Sequence, residues 1–420
     1  MRRLITAGAA FLLFVIPVSA ANAQNYELRG SVREWVKNYS HEPQDRGLLE
    51  SRIKLELIST LGYQSAFRVK SYYVYDGLSK KGTWDFQEAY IDLYYDWADF
   101  RFGKQVVAWG KADELNPTDV LNPQNLGNIT EEKNIRKIGL LMLKSNFYVG
   151  GNTVSLIWKP EFDYYRFPVD NPRISIIPSF GTGGAPDPQL PENELDQTEW
   201  AVKISRTIGY YDFSVSYFDG WDAIFTPIFT LNLLNDPPLT VDRFVFHRTK
   251  MYGFDYAGSI RSFGFWGESA YFLTEDSDGV DPYVKNPYIQ AVLGTDYTFA
   301  NGVKINIQAY QEFLTKINNN LEEEQEKGII SRLGLGLPLQ QAVSSRISKK
   351  FGASEQHSVE LFGIFDTEES GYILQPKINF SPEDALVFEF GFALYGGKTN
   401  SLFGRFGQND EISLKATYSF

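Results

Sequence analysis

Several features are absent from this chain of 420 residues. It has no cysteine, which excludes a disulfide framework and thiolate chemistry. Its three histidines, His41, His247 and His357, are far apart in the sequence, so they favour neither a zinc site nor a Ser-His pair. We therefore predict no enzymatic activity, no bound metal and no cofactor. Catalysis by carboxylate pairs stays open, because acidic residues are abundant.

Long hydrophobic runs are absent after residue 23. The chain there contains no apolar stretch of the roughly 20 residues that a membrane-spanning helix needs. Residues 1–23 themselves are typical of a secretory signal peptide: Arg2 and Arg3 are followed by an apolar core at 7–18 and by a small-x-small site that ends at Ala23. We predict cleavage after Ala23. An N-terminal membrane anchor is the alternative.

Positive charge is scarcer than negative charge. The chain has 40 Lys and Arg against 52 Asp and Glu, a net charge of −12. Loss of Arg2 and Arg3 with the signal peptide leaves 38 bases against 52 acids, a net charge of −14. This balance argues against a nucleic-acid partner, and acidic external loops explain it.

What the chain does contain is alternation of apolar and polar residues. In residues 48–61, Ile53 and Leu57 share one face of an extended strand, whereas Arg52 and Lys54 lie on the other. Ala300-Asn301-Gly302 is typical of a tight hairpin turn between two strands. Similar alternation predicts further strands at about 26–39, 65–75, 84–97, 99–108, 136–146, 150–158, 197–208, 209–219, 247–261, 263–273, 287–299, 303–314, 338–351, 356–366, 370–381, 385–395 and 408–420.

The last strand ends on aromatic residues. Apolar side chains alternate from Ile412 onwards, and Tyr418 and Phe420 occupy the end of the chain. A terminal strand that closes on Phe resembles the assembly signal of Gram-negative outer-membrane β-barrels. With the signal peptide, it indicates an all-β, transmembrane, antiparallel up-and-down barrel of about 18 strands, formed as one domain by residues 24–420. Sixteen strands are the alternative if two weak segments fail, and a soluble β-sandwich or propeller is the other.

This resemblance also implies a location and partners. Both termini and all short turns would lie on the periplasmic side of the cell outer membrane. The chain would contact outer-membrane lipid, lipopolysaccharide and the barrel-assembly machinery, and a barrel of this size is compatible with a homotrimer. Long connections would lie outside, at about 108–135, 159–196, 220–246, 274–286 and 315–337.

Basic residues recur on the predicted inner face of the first five strands. If the apolar face contacts lipid, the opposite face points into the lumen, because charge facing the membrane core is costly. Rows of Arg and Lys in a lumen favour anions. A barrel with mixed, unselective lumen charges is the alternative, since Glu56, Glu88 and Asp92 share this face. The predicted basic ladder consists of Arg29, Arg33, Lys37, Arg52, Lys54, Arg68, Lys70 and Arg101.

The segment after the fifth strand contains a second informative motif. From Gly103 to Pro123 the chain has the order G-x-Q, W-G, D and N-P. This run resembles a group of outer-membrane porin-like barrels that is distantly similar to alginate-export and phosphate-selective channels. The resemblance implies a loop that folds into the lumen and narrows it, whereas a loop on the barrel rim is the alternative. The predicted constriction residues are Trp109, Lys111, Asp113, Glu114, Asn116, Asp119 and Asn122.

Together these observations predict a channel for passive diffusion of small hydrophilic, preferentially anionic, solutes. One alternative is an export channel for an acidic polysaccharide, which would need a longer Arg/Lys track. Another is a barrel that acts as a sheath for a partner protein, such as an electron-carrying cytochrome, and this alternative needs a wide, empty lumen.

Overall fold

The structure, a computed structural model, describes most of the chain after residue 24. The predicted signal peptide and His41 lie outside the described residues, and cleavage after Ala23 therefore stays a prediction. The described residues are 25–39, 47–127, 129–167, 186–192, 197–231, 239–281, 283–316, 339–399 and 401–420.

Nearly all regular structure in these ranges is β-strand. A short helix, α1, covers Lys133–Arg136, and a 3-10 turn covers Gly404–Phe406. The strands, in chain order, are β1 Asn25–Tyr39, β2 Leu48–Thr60, β3 Ser65–Asp76, β4 Lys81–Tyr95, β5 Ala98–Gln105, β6 Leu140–Val149, β7 Asn152–Lys159, β8 Glu199–Ile208, β9 Tyr211–Trp221, β10 Thr226–Leu231, β11 Leu239–Val245, β12 Arg248–Ile260, β13 Phe263–Thr274, β14 Tyr288–Thr298, β15 Val303–Leu314, β16 Gln341–Phe351, β17 His357–Asp366, β18 Tyr372–Glu383, β19 Leu386–Gly396 and β20 Glu411–Ser419.

Eighteen of these strands form one closed antiparallel sheet. β1 pairs with β2 on one side and with β20 on the other, so the first and last strands complete the ring. β9 pairs directly with β12, and β10 and β11 form a separate hairpin between them. The prediction of an 18-stranded all-β barrel is confirmed. The 16-strand and soluble-sandwich alternatives are wrong, and the β10–β11 hairpin was not predicted.

The alternation of side chains separates an apolar outer face from a polar inner face. On β2, Leu49 and Ile53 are exposed on the outside, whereas Glu50 and Glu56 are buried inside. The register between β1 and β2 preserves this division, because Val32 lies opposite Ile53. A closed sheet leaves no unpaired edge, so an apolar outer face of this kind is compatible with a bilayer. Among the described residues, no helix has the length and hydropathy that crossing a membrane requires.

The two ends of the barrel differ in their connections. Tight turns such as Ala300-Asn301-Gly302 join the strands at one end, where Gly302 adopts φ +81° and Asn301 Oδ1 accepts the Val303 N–H at 3.1 Å. Asn25 lies opposite Thr60, just before the first tight turn, and the Ser419 N–H donates to the Ala385 carbonyl beside another turn, so the described chain begins and ends at this short-turn end.

The long connections lie at the opposite end, but so do two short ones, 77–80 between β3 and β4 and 367–371 between β17 and β18. The prediction that all short turns share one end is therefore wrong. Which end faces the periplasm stays a prediction.

The last residue closes the ring against a glycine. The Gly30 N–H donates to the Phe420 carbonyl at 2.8 Å, and the Phe420 N–H donates to the Gly30 carbonyl at 2.9 Å. A Cβ at position 30 would collide with the ring of Phe420. The aromatic end of the chain therefore packs where β1 has no side chain, so the predicted assembly residue Phe420 also has a structural contact in the closed barrel.

We predict that the substitution Gly30→Ala is costly only while the Phe420 ring is present. Overpacking this contact should lower the free energy of unfolding by about 1–3 kcal/mol. In a Phe420→Ala background the same change should cost much less, which a double-mutant cycle on urea unfolding of the refolded barrel would measure. Gly391→Ala is the matched control, because a Cβ there has no heavy atom closer than 3.2 Å. Equal costs of Gly30→Ala in both backgrounds would refute the contact.

Candidate functional site

Residues 106–139, called here the inner loop, connect β5 to β6, and the described parts of this loop, 106–127 and 129–139, extend into the barrel. They bond to inward-facing side chains on distant strands. Asp113 Oδ2 lies 3.1 Å from Arg346 Nε on β16, and Gln308 on β15 accepts the Asp113 N–H at 3.0 Å. On the other side of the lumen, Gln87 of β4 donates to the carbonyls of Asn134 and Lys137, both at 2.9 Å. The inner loop thus contacts the wall on both sides.

A buried group of four charged residues holds the inner loop to β1 and β2. We call Arg33, Glu50, Arg52 and Glu131 the clasp. Arg33 lies 2.6 Å from both Glu50 and Glu131, and Arg52 lies 3.0 Å and 3.2 Å from the same two carboxylates. Glu131 comes from the inner loop, and the other three come from the wall. The clasp therefore joins the loop to the wall by charge-assisted hydrogen bonds.

The predicted basic ladder divides into an enclosed group and an open group. Arg33, Lys37 and Arg52 keep 14% or less of their side chains exposed. Lys37 is 2.8 Å from Glu411 of β20, whereas Arg33 and Arg52 are enclosed within the clasp to which they belong. By contrast, Lys54 and Arg68 keep 33% and 36% of their side chains exposed. Because Arg33, Lys37 and Arg52 are buried in ion pairs, they stabilise the structure in addition to contributing charge to the lumen.

The open group is also paired with acids. Glu56 bonds both Lys54, at 3.1 Å, and Arg68. Arg101 lies 2.6 Å from Asp92 and stacks on the ring of Tyr90 at 3.9 Å. At the short-turn end, Arg29 pairs with Glu27 at 2.6 Å. The wall near these residues therefore carries alternating charges rather than an uninterrupted row of cations.

Two inward lysines, Lys70 of the ladder and Lys144 of β6, differ from these paired cations. Within the described ranges, neither Lys70 nor Lys144 forms an ion pair with a carboxylate. Lys70 lies over the ring of Tyr72 at 5.6 Å, and Lys144 lies directly opposite Arg101 across the β5–β6 pair. Sequence reasoning missed Lys144 because its strand was not included in the ladder. These two ammonium groups carry charge that no neighbouring acid neutralises in an ion pair.

Four of the predicted constriction residues support the inner loop from within. Trp109 is buried, and its carbonyl accepts the side-chain N–H of Asn116 at 2.8 Å. Asp119 is enclosed by Lys137 at 2.6 Å. Asn122 accepts the Val107 N–H at 2.8 Å. Its side-chain amide donates to the carbonyls of Gln105 and Ile138, near the two ends of the loop. These side chains shape the loop rather than facing open solvent.

The other three predicted constriction residues are more exposed. Lys111 is 3.4 Å from Asp212 of β9, and Asp113 is the partner of Arg346 already described. Glu114 pairs with Arg136 at 2.8 Å and has a positive φ of 49°, which places it at the sharp bend of the loop. These three charged side chains belong to the stretch of the inner loop that crosses the lumen. Their role in constriction stays a prediction.

An apolar cluster fills one side of the lumen. It combines inner-loop residues with inward-facing residues of β6 to β9 and β12 to β14, and several of its members are completely buried. The inner loop is therefore packed against this part of the wall by apolar contacts. The buried members are Val107, Trp109, Leu121, Leu140, Met142, Ile157, Ala201, Phe218, Met251, Ala270, Phe272 and Tyr288.

The inner loop is also bonded to the long connections outside the sheet. The Leu126 N–H donates to the Arg166 carbonyl at 2.8 Å, and the Arg166 N–H donates to the Gln124 carbonyl at 3.0 Å. The neighbouring Tyr165 N–H donates to the carbonyl of Ala223, just before the β10–β11 hairpin, at 3.0 Å. A continuous path of backbone hydrogen bonds therefore runs from the hairpin to the lumen.

The histidines of the described ranges are remote from one another. His247 lies 3.0 Å from Glu275 near the long connections, and His357 accepts the Ser381 N–H at 3.1 Å and stacks on Phe380. In the part of the chain that the structure describes, no three His, Asp or Glu residues are grouped as metal ligands.

Comparison with known proteins identifies the fold alone. No protein-family model matches the chain, and no curated protein matches it. Among solved structures, OccK11 (OpdR) of Pseudomonas aeruginosa is 10% identical with a TM-score of 0.52, over 95% of this chain and 96% of that chain. OccD3 (OpdP) of the same organism is 9% identical with a TM-score of 0.54, over 95% and 92% of the two chains. The similarity to the alginate-export and phosphate-selective channels stays a prediction.

We predict that the clasp resists acid. Burial alone would raise the pKa of Glu131, but hydrogen bonding to Arg33 and the charges of Arg33, Lys415 and Arg52 lower this pKa to about 2. An unfolded Glu has a pKa of about 4.3, so the stabilisation is complete above that pH and is lost as pH falls towards 2. The difference in unfolding free energy between the wild type and Glu131→Gln should stay constant from about pH 8 to 5 and shrink below about pH 4. A difference that already shrinks between pH 8 and 5 would contradict this assignment.

Proposed function

We propose that this protein is a porin-like channel of the cell outer membrane through which small hydrophilic solutes diffuse passively, with a preference for anions. The observation that carries the proposal is a closed 18-stranded barrel whose outer face is apolar and whose inner face is charged. Such a wall separates a lipid-facing surface from a polar lumen without any moving part or cofactor. In this proposal the short-turn end, with Asn25 and Phe420, faces the periplasm.

The anion preference is proposed from the balance of charges on one wall. Most cations of the ladder have an acidic partner, so their fields largely cancel at a distance. Neither Lys70 nor Lys144 has an ion-paired carboxylate within the described ranges. Lys70 is on the inward face of β3, and Lys144 is on the inward face of β6, opposite Arg101 of β5. Uncompensated positive charge in a narrow passage with low-dielectric walls raises the local concentration of anions.

The inner loop and the charges of the wall argue against the two alternative functions, a sheath for a partner protein and an export channel. A sheath for a partner protein needs an empty lumen, and the bonds from the inner loop to β13, β15 and β16 cross that space. An export channel for an acidic polysaccharide would need a continuous basic track, and acids such as Glu56 and Asp92 interrupt the ladder. Both alternatives are therefore less favoured than diffusion of small solutes. The homotrimer, lipopolysaccharide and the barrel-assembly machinery stay predictions.

The reversal potential of the purified protein in a planar bilayer under a salt gradient tests this proposal. We predict a steady conductance with anion preference. The double substitution Lys70→Gln and Lys144→Gln should lower the anion-to-cation permeability ratio roughly twofold or more, because it removes the uncompensated charge. The matched control is Lys349→Gln, since Lys349 is exposed on the same face of β16 as the outward Ile347.

Three results would count against the proposal. Absence of conductance would contradict a channel and favour an export-type or partner-filled barrel. Preference for cations in the wild type would contradict the anionic solute. An equal effect of Lys349→Gln and of the double substitution would contradict the assignment of selectivity to Lys70 and Lys144.

A further inference from the structure

The first part of the inner loop bends around a single carboxylate on the opposite wall. Glu268 lies on the inward face of β13 and is only 3% exposed. Its Oε1 accepts the backbone N–H groups of Lys111 and Ala112, the latter at 2.6 Å. Its Oε2 accepts the hydroxyl of Thr118 at 3.0 Å and the backbone N–H of Thr118 at 3.3 Å. Four donors from one turn thus converge on one side chain.

The backbone of the turn approaches this carboxylate closely at Gly110. Gly110 adopts a φ of +80°, and a Cβ there would collide with Glu268 Oε1 and with the side-chain oxygens of Asn116 and Thr118. An L-residue other than glycine would be strained at this φ as well. The sequence Trp109-Gly110-Lys111 therefore fits closely around the anion.

The chemistry of the four donors selects a carboxylate. An ionised carboxylate only accepts hydrogen bonds and has about four lone-pair directions, which matches four donors. The amide of Gln has a single acceptor oxygen and would point two N–H groups at the same donors. Buried donors left without a partner are costly, so an amide at position 268 would disturb the turn.

A second inward side chain holds the next residues of the turn. Gln308 of β15 is completely buried. Its Nε2 donates to the carbonyls of Asp113 and Leu115 at 2.8 Å and 3.0 Å, and its Oε1 accepts the Asp113 N–H. Trp266 Nε1 donates to the same oxygen at 3.1 Å and fixes the orientation of the amide. Glu268 and Gln308 together therefore bond the backbone at five positions between 111 and 118.

These bonds determine where two exposed charges of the loop stand. Lys111 and Asp113 bracket Ala112, and their side chains pair with Asp212 of β9 and Arg346 of β16. We propose that Glu268 is the positioning residue for the constriction: through the backbone of residues 111–118 it places Lys111 and Asp113 across the lumen. Its own carboxylate is enclosed and does not meet the solute. This inference rests on the proposed function for its effect on transport, but the placement of the loop can be tested without transport.

The first test measures loop placement by thiol labelling. Because the chain has no cysteine, Ala112→Cys introduces a single reporter. Glu268→Ala in this background should raise the labelling rate about tenfold or more, since four hydrogen bonds to the turn are lost. Acetate replaces the atoms that Glu268→Ala removes beyond Cβ, so adding acetate at constant ionic strength should slow labelling again. Chloride should have no such effect.

Controls separate positioning from general loosening of the barrel. Glu389→Ala removes an inward carboxylate that contacts Lys415, at 2.9 Å, rather than the inner loop. Its labelling rate should equal that of the reporter alone and should not change when acetate is added. Glu268→Gln, which preserves side-chain volume, should label faster than the reporter alone, and it serves as the test if Glu268→Ala does not fold. Unchanged labelling in the folded Glu268 variants would overturn the proposal.

The second test measures transport. Glu268→Ala should increase single-channel conductance and current noise and lower the discrimination between small and large solutes, and acetate should reverse these changes. Wild-type conductance, noise and solute discrimination in this variant would overturn the effect on transport. If the wild type does not conduct at all, the proposed function fails, whereas the labelling result still decides whether Glu268 places the loop.

Discussion

The closed ring of backbone hydrogen bonds between strands is the constraint on which the rest of this structure depends. In a bilayer no water satisfies an unpaired strand edge, so β1 must meet β20. Once the ring is closed, every strand side chain points either out or in. Apolar residues occupy the outer face, and the charges of the same strands are consequently gathered in the interior, where each must find water or a partner.

The clasp follows from this gathering of charge. Arg33 and Arg52 lie directly opposite each other in the β1–β2 register. Like charges at such positions repel, and Glu50 on the wall supplies only one carboxylate for two guanidinium groups. Glu131 supplies the second and brings the inner loop with it. The loop is thus held in the lumen partly because it neutralises an excess of positive charge on the wall there. The same loop therefore both fills the lumen and balances its charge.

The sequence predicted the barrel better than it predicted the site. Each of the 18 barrel strands overlaps a segment that alternation identified, because the period of two is a local property. The β10–β11 hairpin was missed: Pro227 within β10 is unfavourable in a strand, and the segment was assigned to a loop. Whether a ladder cation is enclosed or open depends on remote residues. Arg33 and Glu131 are 98 positions apart, and Lys111 and Glu268 are 157 positions apart. Glu268 and Gln308 were indistinguishable from other inward polar residues, since only the folded loop shows which backbone groups they bond.

The hydrogen bonds from Gln124 and Leu126 to Arg166 have a mechanical consequence. They connect the inner loop to a segment that is itself bonded to the base of the β10–β11 hairpin. A force applied to that hairpin from outside the sheet would therefore be transmitted along main-chain bonds into the lumen, without passing through the rigid wall. The hairpin is thus mechanically coupled to the inner loop independently of the barrel wall.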